Sequence, residues 1–397
     1  MDAARRRRSD GPGVLDALAL VAAVADELVV RTVRDTHLAW VDRVHGLVGG
    51  PRRGGGSAAE RLHRGIAGAV YAGLGGGLRA ASAGLDRVAA TGVGPRLDDD
   101  ARGRFLGSAV NGLIGDRLAQ ERPRLAIQMA VRVDGRDVPL EAEALRDAFP
   151  DAAGRVVVLL HGLCEHEGHW QRGRERVGTT YPEMLRAVGW TPVLLRANTG
   201  LGLRANGVAL CSLLQDLVDA WPVEVTRVAL VGHSMGGLVM RVAAAVATGA
   251  EWSERPWTRL VTDVVTLGTP HLGAPLATGV GHGSRGLGRL PETAAFGRIL
   301  DHRSLGVRDL VAGLAEDVPP LPHARYHLVA ATLSRSSRHP LGQLLGDVLV
   351  RVDSAYGRDR AGGELFPGAD VLHVGGAGHF DLLNHPAVHR ALREWLA

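Results

Sequence analysis

Residues 228–241 read VALVGHSMGGLVMR. A short apolar run leads into Gly232, a serine stands at 234, and Gly236 and Gly237 follow before apolar residues resume at helical spacing. The pattern G-x-S-x-G between a buried strand and a helix is a nucleophile elbow. Its serine sits on a sharp, strained turn, and side chains two residues to either side would collide with the backbone. An ordinary Gly-rich strand–helix turn shares the glycines. The strand before Ser234 and the helix after it favour the elbow.

Outward from this stretch, short β-branched runs alternate with helical patterns. RVVVLLHGL (155–163), PVLLRAN (192–198), VTDVVTLGTP (261–270), YHLVAATL (326–333) and DVLHVGG (370–376) read as strands. Residues 203–221, 236–248 and 385–396 read as helices. Such alternation predicts a mostly parallel sheet with helices on both faces. Upstream, RLAIQMAVRVDGRDVPL (124–140) alternates around Asp134-Gly135, which is a hairpin signal.

A serine nucleophile needs N–H donors aimed at the developing oxyanion. One is the residue after the nucleophile, Met235. The other belongs to a loop after an earlier strand. LLHGLCEHEGHW (159–170) supplies it, with Leu163 as the donor. Cys164, His166 and His169 in that loop raise the question of a metal, but no second ligand cluster accompanies them, so no metal is expected. Among 17 histidines, position selects the base. With an elbow serine the chain order is Ser, acid, His, and the His follows the last strand. His379 lies in the Gly-rich loop GGAGHFDLL. His373 falls within the strand, and His385 stands at the start of the terminal helix. The acid must lie between Ser234 and His379. GDVLVRVDSAYG (346–357), which reads as a short strand, offers Asp347 at its start and Asp353 as the alternative.

VVVLLHGL, VGHSMGGLV, TLGTPHLGAPLA (266–277) and GAGHFDLL together resemble the α/β-hydrolase superfamily, in its lipase and esterase branch. They are similar to blocks of bacterial triacylglycerol lipases and GPI inositol-deacylase-like hydrolases. The resemblance covers roughly residues 124–397. It implies an α/β-hydrolase fold with Ser234 as nucleophile, His379 as base, and Leu163 and Met235 as oxyanion donors. GDVLVRVDSA is similar to the Asp-Gly-x-Val stretch that carries the acid in such lipases. Asp347 takes the acid's place, and Val348 departs from the glycine. The implied activity is hydrolysis of an apolar carboxylic ester, on a small-molecule or lipid substrate, without a cofactor. Transfer of the acyl group to an alcohol, or a membrane-associated binding role that keeps the fold without the chemistry, are the competing expectations. Between TPHLG and the strand at 326, residues of about 272–324 are expected to form a cap or lid. Leu290, Phe296, Ile299, Leu300, Leu305, Val307, Leu310 and Val311 would line its acyl-binding surface.

The remaining third, 1–122, is expected to be a helical N-terminal region of unassigned role, ahead of a catalytic domain at 123–397. Apolar residues over 13–48 recur at three and four, and 103–120 shows the same pattern. Leu62, Ile66, Val70, Leu74 and Leu78 repeat every four residues among many glycines. GGPRRGGGS (49–57) reads as a linker. The apolar stripe at 62–78 suits close packing or a peripheral membrane contact. After MDAARRRR, the pattern runs unbroken past Ala23-Val24-Ala25, which favours a helix over a cleaved leader.

The 397 residues carry a net charge of +4, and every basic side chain other than histidine is arginine. With acids nearly balancing arginines and no basic, aromatic-interleaved stripe, nucleic-acid binding is excluded as an expectation. Two cysteines make no disulfide framework, so a reducing, cytoplasmic setting is expected.

Overall fold

The computed structural model describes residues 13–24, 30, 34, 58–248, 256–274, 304–314, 318–335, 347, 349–359 and 362–397. The expected linker at 49–57, most of the helical pattern at 25–48, and the cap positions Leu290, Phe296, Ile299 and Leu300 lie outside the described residues. The chain divides into two compact units. One comprises Met1–Asp10, Asp98–Ala277 and Ser304–Ala397, and the other Gly11–Leu97 with Thr278–Arg303.

The larger unit is built on eight strands. These are β1 (Ala130–Val133), β2 (Arg136–Val138), β3 (Arg155–Leu160), β4 (Thr191–Arg196), β5 (Arg227–His233), β6 (Val261–Leu267), β7 (Arg325–Thr332) and β8 (Asp370–Gly375). Their order is β2-β1-β4-β3-β5-β6-β7-β8. β1 runs antiparallel to β2 and β4, and β3 to β8 are parallel. Asp134 and Gly135 turn the β1–β2 hairpin with φ of 50° and 76°, as expected of that dipeptide.

Strand residues alternate between two cores. Val156, Val158 and Leu160 face one with Leu210 and Leu214 of a helix at Leu203–Ala220 and Leu238 of the helix at Met235–Thr248. Val157 and Leu159 face the other, with Tyr181 and Leu185 of the helix Tyr181–Ala187 and Leu392 of the helix Pro386–Trp395. Each such side chain contributes about 1.5–3 kcal/mol on leaving water, which is why these runs lack a polar face.

The expected strand at 346–357 does not form. Asp347 opens a turn by accepting the N–H groups of Leu349 and Val350 at 3.0 and 2.7 Å. A carboxylate that satisfies its own following backbone competes with a strand ladder. Val352–Tyr356 is then a short helix, and its Val352, Ala355 and Tyr356 bury at helical spacing against Leu328, Ala330 and Phe366.

Ala101–Glu121, here α3, groups with the sheet in the larger unit. Asp100 caps it by accepting the Gly103 N–H at 2.7 Å. The helix departs from helical geometry at Ile114. At that turn Ser304 donates its hydroxyl to the Gly112 carbonyl (2.7 Å) and its N–H to the Leu113 carbonyl (3.0 Å). An outside donor inserted at the ladder is a recognised cause of a kink. Of the expected cap, the described part includes a helix at Leu305–Ala312. Its Leu310 packs against the sheet's core.

In the smaller unit α1 (Val14–Val24) packs along α2 (Ala58–Ala89). Ser82 donates to the Ala19 carbonyl at 2.9 Å, and the buried positions of α2 include Ala67, Ser82 and Ala89. Leu62, Ile66, Val70 and Leu74 are exposed. Among the described residues no helix is long and apolar enough to cross a membrane.

Candidate active site

β5 runs straight into the helix Met235–Thr248, and Ser234 lies between them with φ 52°. A non-glycine residue held there stores roughly 1–3 kcal/mol of strain that the surroundings must offset. The flanking glycines show how. A Cβ on Gly232 would come within 2.5 Å of the Gly237 nitrogen, and one on Gly236 within 2.4 Å of the Leu160 carbonyl oxygen. The Ser234 N–H is anchored on the Leu267 carbonyl at 2.8 Å.

His379 opens a single turn, His379–Leu382, after β8. Its Nδ1 donates to Asp347 Oδ2 at 2.7 Å, and its N–H donates to the Asp347 carbonyl at 3.2 Å. Asp347 is 1% exposed and His379 4%. With Oδ1 occupied by two backbone N–H groups and Oδ2 by the imidazole, the carboxylate fixes the tautomer that leaves Nε2 unprotonated. The imidazole lies over Gly268, where an added Cβ would stand 3.0 Å from Cε1. Ser234 and His379 therefore both approach the Leu267–Gly268 peptide at the carboxyl end of β6. Asp353, the alternative acid, is exposed on the helix Val352–Tyr356, and its carbonyl accepts the Arg358 N–H.

Leu163 is the second residue of a turn closed by the Glu165 N–H on the Gly162 carbonyl, 3.2 Å. Cys164 completes the turn with φ 61°, and its N–H donates to Thr199 Oγ1 at 3.0 Å. Among the described residues, the N–H groups of Leu163 and Met235 have no protein acceptor. A Cβ on Gly162 would lie 2.9 Å from Ser234 Cβ, so this turn abuts Ser234.

Two groups here were not read from the sequence as part of the site. Glu165 is 3% exposed and accepts the Gly162 N–H at 2.7 Å and His233 Nδ1–H at 3.0 Å. Burial pushes its carboxyl upward, but His233 and the Gly162 N–H outweigh that and hold it at about 2. Burial likewise pushes His233 downward, and Glu165, the His379 carbonyl and Asp347 together raise it above the ordinary 6.5. A carboxylate three residues after Gly162 stands at the spacing where a side chain reaches back to a backbone N–H. That was the available signal.

The other polar groups of the loop have local partners. His161 donates Nδ1–H to the Gly162 carbonyl and accepts the Ala197 N–H on Nε2. His166 accepts the Gly168 N–H, and His169 accepts the His166 N–H. Burial pushes the Cys164 thiol up to about 11, out of the range of a reactive thiolate. No group of His, Cys, Asp and Glu among the described residues could hold a metal ion.

The parallel sheet, its strand order and the elbow after β5 define an α/β-hydrolase fold. Residues 151–309, less than half of the chain, match the profile of the family described as "Putative serine esterase (DUF676)". No curated protein matches the sequence. Among solved structures, Bacillus licheniformis lipase BlEst2 in mature form is similar at 20% identity, over 62% of this chain and 94% of that one, with a TM-score of 0.44. Pyrococcus furiosus esterase Pf2001 is similar at 15% identity, over 62% and 82%, with a TM-score of 0.37. Neither likeness bears on the role of any residue.

Proposed function

We propose that the protein is a serine hydrolase of carboxylic esters with an apolar acyl group. The observation that carries this reading is the buried His379–Asp347 hydrogen bond, facing the same Leu267–Gly268 peptide as a left-handed serine. In this reading Ser234 Oγ attacks the ester carbonyl while His379 Nε2 takes its proton. The oxyanion is received by the N–H groups of Leu163 and Met235. The imidazolium, steadied by Asp347, returns the proton to the leaving alcohol, and water activated by the same His379 resolves the acyl-enzyme.

Hydrolysis of p-nitrophenyl esters from short to long chain tests the reading. Ser234→Ala is expected to lower kcat by roughly 10⁴-fold or more. A fluorophosphonate is expected to label wild type and not the variant. Absence of both turnover and labelling in folded wild-type protein defeats the proposal.

A peripheral membrane contact through α2 accompanies it, supported by the exposed Leu62, Ile66, Val70 and Leu74. Liposome flotation tests this part. Full-length protein found only in the bottom fraction removes it.

A further inference from the structure

We propose that Glu165 and His233 act as a positioning pair, holding the oxyanion turn and the loop of the base in register with Ser234. This rests on the esterase reading above. The pair joins three segments that chemistry requires to meet. Glu165 belongs to the turn that carries Leu163. Its backbone N–H closes that turn on the Gly162 carbonyl, and its carboxylate reaches back to the Gly162 N–H at 2.7 Å. His233 is the residue before the nucleophile and donates Nδ1–H to the same carboxylate oxygen at 3.0 Å. Its Nε2 lies 3.4 Å from the backbone carbonyl of His379, and the two rings are 4.8 Å apart. His233 is fully buried, so water cannot replace either acceptor.

Both ring nitrogens of His233 face acceptors, a carboxylate and a carbonyl, so the ring is satisfied as an imidazolium. The neutral ring would leave one of the two contacts without a proton. The opposite shifts of the partners, with the Glu165 carboxyl at about 2 and His233 raised, agree with an ionised pair. A buried pair of this kind adds little net stability over apolar replacements. What it supplies is geometry. The distance between the Leu163 N–H and the reacting carbonyl depends on where Gly162 is held: its N–H by this carboxylate, and its carbonyl by the Glu165 N–H and His161 Nδ1–H. A displaced oxyanion donor costs roughly 10²–10³-fold in rate and little in substrate binding.

Steady-state kinetics on a p-nitrophenyl ester separate the alternatives. For Glu165→Ala, kcat is expected to fall roughly 10- to 100-fold while KM stays within about three-fold. Glu165→Gln keeps an oxygen for the Gly162 N–H and is expected to recover part of that loss. His233→Asn combined with Glu165→Ala is expected to lose little more than either alone, because both act through one contact. The rate of Ser234 phosphonylation should fall in parallel with kcat.

A Glu165→Ala enzyme with kcat within about two-fold of wild type, or one whose loss lies wholly in KM, overturns the proposal. Should Glu165→Ala not fold, Glu165→Gln carries the same criteria. If neither folds, the pair is a folding element and the positioning role is wrong. A wild type without turnover or labelling overturns instead the esterase reading on which the pair rests.

Discussion

Asp347 and Asp353 lie six residues apart and differ in everything that matters for a triad. Asp347 is buried, with one oxygen on two N–H groups and the other on His379. Asp353 is exposed on a helix. Asp347→Asn is therefore expected to lower kcat by roughly 10³–10⁴-fold, because the amide cannot hold the tautomer, whereas Asp353→Asn stays within about two-fold. Kinetics of the two variants decide it, and the reverse result would make Asp353 the acid. The Glu165–His233 pair gives a pH prediction at the same scale. Glu165 is depressed from 4.5 to about 2, so its contribution to stability is full above 4.5 and is lost as pH falls towards 2. His233 is raised above 6.5, so its contribution is full below 6.5 and is lost as pH rises through the raised value. The difference in unfolding free energy between wild type and Glu165→Gln should thus be largest between 4.5 and 6.5 and shrink on either side. Urea titrations across pH measure it, and a flat difference would mean the pair is not ionised.

At the scale of elements, α3 is the informative one. Its periodicity was legible in the sequence, but its destination was not. Gly112 lies against the Gly162–Glu165 turn so closely that a Cβ would fall 2.3 Å from Cys164 Sγ and 2.9 Å from Cys164 Cα. Cys164 cannot yield easily, since its φ is 61° and Thr199 holds its N–H. Gly112→Ala is expected to destabilise by about 1–3 kcal/mol, the scale of overpacking. It should also lower kcat by shifting the Leu163–Cys164 peptide. Thermal melts and kinetics on the same sample check both, and an unchanged kcat would show that α3 can move without the turn. The short helix at Val352–Tyr356 makes the complementary point. GDVLVRVDSAYG has strand composition, yet an aspartate that bonds its own following N–H groups, together with a local apolar cluster, outweighs it.

At the scale of the molecule, the antiparallel edge of the sheet is tied by charge to Asp98, just ahead of α3. Arg196 pairs with Glu167 at 2.6 Å and with Asp98 at 2.7 Å. Arg132 reaches Asp98 at 3.1 Å, Glu167 at 3.4 Å, and Asp137. Burial pushes the Glu167 carboxyl upward, but Arg196 and Arg132 outweigh it and hold the group at about 2. Glu167→Gln leaves two buried guanidinium groups short of a counter-charge and is expected to cost about 3–5 kcal/mol. A fall in the urea midpoint with an unchanged slope would show it. An unaltered midpoint would mean that Asp98 and Asp137 suffice.

What consecutive residues determine here is what steric rules write locally. The elbow, the hairpin at Asp134-Gly135 and the alternation of strands and helices all follow from near-neighbour geometry. The tertiary structure alone decided that Asp347 rather than Asp353 meets the imidazole of His379, that Glu165 pairs with His233, and that α3 leans on the turn at Cys164. Those partners are separated by 32 residues, 68 residues and some 50 residues of chain. Such distances are closed by the order of strands in a sheet, where burial removes water as a competing partner and leaves each polar group only its protein partners to find.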